Sequence, residues 1–150
     1  MSTVNTLPTE RVAVVGVIDP DANAAAAYTT AYVSMSTFQS LMAVVQTGVL
    51  GTSATVDAKL VQATDSSGTG SKDISGKAIT QLVKASNDDD QAIITCRSSE
   101  LDVANSFSHV ALTMTVGTAT SDCSAIVLGV DARNDPASDN DLASVVEIIS

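Results

Sequence analysis

The stretch HVALTMTVG, His109 to Gly117, alternates without a break. Val110, Leu112, Met114 and Val116 fall on one side, and His109, Ala111, Thr113 and Thr115 on the other. Successive side chains of a strand point to opposite faces, so this period of two demands a half-buried β-strand. Such a strand cannot stand alone. Its backbone groups need neighbouring strands, and its apolar face needs a second layer.

The rest of the chain supplies both. TVDAKLVQATD sets Val56, Ala58 and Leu60 against Asp57 and Lys59. AIITCR sets Ala92, Ile94 and Cys96 against Ile93, Thr95 and Arg97. RVAVVGVI (11–18) is short and β-branched, and Tyr28 to Thr37 mixes β-formers with small polar residues. Both read as strands. SLMAVVQTGVL is apolar on both parities. That suits a strand buried on both faces, with a buried helix as the alternative. SAIVLGVD, with Ile126, Leu128 and Val130 pointing inward, is expected to pair with 109–117 as a hairpin across TATSD. KDISGKAITQL holds a short strand or bend, and SVVEII closes the sheet unless 140–149 is a helix.

Turn signals separate these pieces: Asp19-Pro20 before a run of alanines, Gly48 and Gly51, the NDDD run, and TATSD. About eight short strands at regular spacing predict an all-β, single-domain antiparallel β-sandwich or closed roll. The 150 residues suit one domain. Residues 1–10 are polar with one proline and read as a flexible N-terminal arm ahead of a domain over 11–150.

Charge narrows the partners. Charged residues are 16% of the chain, below the usual quarter, so much of the surface is Ser, Thr, Ala, Asn and Gln. The net charge is −10, and the seven basic residues are scattered. Nucleic-acid binding needs clustered Lys and Arg, and none is expected here. With no Trp, two Tyr and two Phe, stacking platforms for sugars or bases are poorly supplied. The N-terminus is not patterned as a signal peptide, and 41–50 is too short and too polar to span a bilayer. A soluble protein, intracellular when made, is the expectation. Cys96 and Cys123 flank no metal spacing and read as small core residues in a reduced compartment, a disulfide between them being the alternative.

Several stretches mimic chemistry. TDSSGTGSKD (64–73) carries Gly68, Gly70 and Lys72 but lacks the earlier glycine of a phosphate loop. No helical pattern follows it, so it reads as a flexible connection with its glycines at positive φ. DPDAN (19–23) begins like a calcium loop, then places Ala24 and Thr30 where Gly and Glu are needed. Asp131, Asp135, Asp139 and Asp141 are a second calcium candidate, set against a solvated loop. His109 is the one histidine, and no G-x-S-x-G elbow accompanies it. No residue is put forward as catalytic, cofactor-binding or metal-ligating, and no enzyme is expected.

Four pieces in order carry a resemblance: ATD (63–65), KDISGKAITQL (72–82), ELDV (100–103) and FSHV (107–110). With the strands between them they resemble a family of small virion structural proteins encoded among the head genes of tailed bacteriophages, over roughly residues 28–150. The resemblance implies a capsid decoration, or cement, protein with a sandwich related to jelly rolls and no catalytic residues. It implies the major capsid protein as partner, self-association with a trimer as the first guess, and a place on the capsid exterior after assembly in the host cytoplasm. The N-terminal arm would order on binding. The alternatives are a carbohydrate-binding or adhesion module of the virion, an argument by fold alone, or a tail or neck protein.

Overall fold

The computed structural model describes residues 5–150. A single helical turn, α1 (Pro8–Arg11), leads into ten strands. They are β1 (Val12–Asn23), β2 (Ala26–Thr29), β3 (Val33–Ser34), β4 (Phe38–Thr47) and β5 (Thr55–Ala63). β6 (Lys72–Ala78), β7 (Leu82–Val83), β8 (Gln91–Arg97), β9 (His109–Gly117) and β10 (Ser121–Ala132) follow. One sheet runs β1-β10-β4-β8. The other runs β2-β9-β5-β6, with β3 on β9 and β7 on β5. All pairings are antiparallel.

Leaving out the two-residue β3 and β7, the chain crosses from sheet to sheet at almost every step. β1, β4, β8 and β10 fall in the first sheet and β2, β5, β6 and β9 in the second. This is the double-sheet wrapping of a jelly roll, so the fold is an all-β sandwich, as the alternation predicts. Leu41, Val45 and Val127 of the first sheet meet Val56, Leu60, Val110, Leu112 and Met114 of the second. Phe38 plugs one end. The inward sets read from β5, β8 and β9 are the buried ones, apart from half-buried Ala92.

Four expectations are corrected. β9 and β10 form no hairpin. β9 lies in the second sheet and β10 in the first, between β1 and β4. Thr118, at φ 73°, turns the chain across the sandwich instead of back along one sheet. A short polar turn serves both purposes equally, so its sequence does not separate them.

β10 is also turned over. Cys123, Ala125 and Val127 face the core, while Ile126, Leu128 and Val130 face out. The cause is Phe38. A Cβ on Gly129 would lie 2.6 Å from three of its ring carbons, so the narrow side of β10 must point inward. Third, the strand placed at 28–37 is split into β2 and β3, and β1 runs through Asp19-Pro20 to Asn23 with a bulge between Ile18 and Asp21. Fourth, SVVEII neither closes a sheet nor forms a helix. A 3-10 turn (Ala137–Asn140) packs against β1, the Leu142 amide donates to the Val14 carbonyl, and Val146 and Ile149 remain 95% and 83% exposed. Of the proposed arm, Met1–Val4 lie outside the described residues, and Pro8–Arg11 is helical.

Candidate interaction surface

An antiparallel sheet with one side in water normally alternates apolar-in and polar-out. The first sheet does not. Val17, Ile126, Val44 and Ile93 stand in one row across all four strands. Val14, Leu128, Met42 and Thr95 form the next row, and Val12, Val130, Ser40 and Arg97 a third. Thr95, Ser40 and Arg97 are the polar members. Ile93 is 61% and Ile126 44% exposed, and nothing among the described residues covers them. A groove of about 610 Å³ runs over this face past Val12, Met42, Leu128 and Val130.

Charge divides along the same sheet. At the Thr47 end of β4, backbone bonds tie Asp89 to Gly48 and Gly48 to Asp122, and Asp88 Oδ1 accepts the Leu50 amide. Asp21 reaches this end through its pairing with Cys123, and Asp90 through its bonds to Thr47. Lys84, beside them, is paired with Asp88. Its hydrogen bond, with that of the Leu50 amide, holds the Asp88 carboxyl below the usual carboxylate range. The Phe38 end carries Arg97, Arg133 and Arg11. Its acids Asp131 and Glu100 are paired with Arg11 and Lys77, which leaves Arg97 and Arg133 outside the ion pairs of the described residues.

The Gly/Ser loop is a structural turn. Asp65 Oδ1 accepts the Ser67 and Thr69 amides, and Gly68 and Gly70 sit at φ 83° and 67°. Its amides are thus partly spent within the loop, and Lys72 is spent as well: it pairs with Asp102 and lies 4.2 Å from the Phe107 ring centroid. Lys77 pairs with Glu100, and Lys59 with Asp73. The pieces that carry the sequence resemblance therefore meet in space. KDISGK from β6 is strapped to the ELDV segment by two ion pairs, with Phe107 beneath. The hydrogen bond from Lys72 lowers the Asp102 pKa, and the Arg97 amide lowers that of Glu100.

The remaining candidates do not converge. Ser108 Oγ lies 2.8 Å from His109 Nδ1. The nearby Asp65 spends Oδ1 on loop amides, and no carboxylate hydrogen-bonds to the imidazole among the described residues. Asp131 serves Arg11 and Asp141 accepts the Val14 amide. Asn23 of DPDAN donates to the Cys123 carbonyl at 2.7 Å. Among the described residues no three metal-ligating side chains come together. Cys96 and Cys123 are free and buried, and burial pushes the Cys96 thiol up to about 11. No helix among the described residues is long and apolar enough to cross a membrane.

Read with Ile126, Leu128 and Val130 inward, the sequence hides these outward rows. A signal was present. β4 is apolar on both parities, and a strand apolar on both faces asks for cover on both.

No family model and no curated protein matches the sequence. Among solved structures, a chain of the Broad Bean Stain Virus cryo-EM structure is 10% identical with TM-score 0.47, over 90% of this chain and 93% of its own. The C-terminal domain of EclA, a sugar-binding protein, is 11% identical with TM-score 0.39, over 85% and 82%. A chain of the Cowpea Mosaic Virus empty virus-like particle is 11% identical with TM-score 0.35, over 75% and 58%. These scores are low, and the fold assignment rests on the strand order itself.

Proposed function

We propose that the protein is a non-enzymatic structural component of a virion, binding the outer surface of a tailed-bacteriophage capsid and stabilising it. Its partners are then the major capsid protein and copies of itself. The observation that carries this reading is the apolar outer face of the β1-β10-β4-β8 sheet. A face of this composition left in water marks a protein-binding surface rather than a solvated one. The ordered motif pieces that resemble phage head proteins, which fold into one braced unit, favour the virion as the setting. The means of stabilisation is multivalency: a modest interface repeated over a lattice gives a large collective effect.

The test is binding of purified protein to phage heads stripped of it, imaged by electron microscopy. Saturable density at defined lattice positions is expected. No density on the shell, or density at the tail or neck alone, overturns the capsid reading.

A further inference from the structure

We propose that the apolar face of the first sheet is the seat of a second copy of this chain, forming a two-fold dimer in which β8 stacks over β8 and the strands run in opposite directions. The proposal rests on reading that face as a protein-binding surface, not on the virion setting.

Two features select a copy of the chain as the occupant. The first is area. Strands lie about 4.8 Å apart and same-face residues about 6.8 Å apart, so four strands by three rows cover about 400 Å². The adjoining row Ser124–Gln46–Gln91 brings this to about 500 Å², the lower bound per partner for a specific interface. The two central rows carry no charged side chain, Arg97 and the groove's Lys77, Glu100 and Asp131 lying toward one end, so two copies bury no opposed like charges at the centre, as a self-complementary contact requires.

The second is charge complementarity along the strands. A two-fold axis lying in the interface can run along the strands or across them. Along the strands, it stacks the Asp21, Asp88–Asp90 and Asp122 end on its own copy, which repels. Across the strands, it sets that end against the partner copy's Arg97 end. Opposite charges at the rim and apolar rows at the centre then coincide in one arrangement. Arg97 is suited to this. It projects from the exposed side of β8 and stands level with Val130. Among the described residues its guanidinium is in no ion pair, the neighbouring Glu100 being paired with Lys77.

The experiment is sedimentation equilibrium of the full chain from about 1 to about 500 µM, with three variants. A reversible monomer–dimer equilibrium is expected for the parent. Ile126→Lys and Ile93→Lys should each raise Kd by about 100-fold. Both side chains are exposed, so the variants keep the parent's thermal unfolding, checked by circular dichroism. Arg97→Glu should weaken the dimer by about 10-fold at low salt and by less at high salt. A monomer throughout, a trimer, or a dimer indifferent to Ile126→Lys overturns the proposal. An unchanged or tighter Arg97→Glu dimer overturns the orientation. A monomer whose binding to stripped heads is abolished by Ile126→Lys makes the capsid the occupant, which overturns the dimer and upholds the proposed function. A dimer that ignores stripped heads does the reverse.

Discussion

The two sheets share one core and differ on their outer faces. The outer face of the second sheet is mainly polar, its one apolar cross-strand pair, Val61 and Ala111, being buried. Thr29 and Thr113 hydroxyls meet at 3.0 Å, Lys59 pairs with Asp73, and Gln81 donates to Asp57. The outer face of the first sheet carries Val17, Ile126, Val44 and Ile93 in a single row. Folding alone asks for one buried face per sheet, and the second sheet meets that requirement. The first exceeds it, and that surplus of apolar surface is the ground of the interaction proposed above.

The sharpest way to test the contrast is one substitution in two places. Leu112→Ala empties a site buried between the sheets and should cost about 3 kcal/mol by urea unfolding, in the range of core Leu→Ala changes. Leu128→Ala, on the outward face, should cost the monomer under about 1 kcal/mol. Equal costs would break the distinction drawn between the faces.

Gly129→Ala probes why β10 is turned over. Its Cβ would lie 2.6 Å from Phe38 ring carbons, and overpacking of this kind costs about 1–3 kcal/mol. The double variant Gly129→Ala with Phe38→Leu should lose less than the two single changes combined. Simple additivity would remove Phe38 as the cause.

A smaller effect is expected from acid. Asp65, Asp88, Glu100 and Asp102 are held below their ordinary values, Asp65 by its hydrogen bonds from Thr69, Asp102 first by Lys72. Depressed carboxyl groups stabilise the fold above their unfolded pKa of about 4. That contribution is lost as pH falls through their lower folded values. Asp102→Asn should therefore flatten the acid limb of a stability-against-pH curve while leaving its shape near neutrality unchanged. An acid limb as steep as the parent's would count against the Lys72–Asp102 strap.

The smallest effect belongs to the polar sheet. Thr115→Lys, which stands opposite Asp57 on that face, should shift stability by under about 0.5 kcal/mol and leave the association state unchanged. A change in association there would mean that the second sheet, not the first, carries the contact.

Much of this was legible in the sequence. Strict alternation in 109–117 and 55–63 set those strands and their buried sides, because a one-residue slip would have put Leu112 or Leu60 in water. The Gly/Ser stretch read correctly as a turn because a phosphate loop has spacing requirements it does not meet. The outward face was not legible in β10. There both parities are apolar, so hydrophobicity does not choose a side, and the decision falls to the volume of Phe38, ninety-one residues upstream of Gly129. The ion pairs of Lys72 and Lys77 were equally hidden, since their partners come from a segment that only the fold brings near.

The position of β10 also sets an order of events. β1 has β10 as its one in-sheet partner, with Val12 opposite Val130. Until the last strand is made, the first has nothing to pair with, and β4 lacks a neighbour on one side. The second sheet's β5–β6 ladder needs only a short loop to close, so its closure entropy is small. Chain growth therefore leaves the first sheet's two-sided apolar strands open to water longest. Unpaired apolar strands are prone to aggregate, so before β10 is made this sheet is the part of the chain that most needs cover.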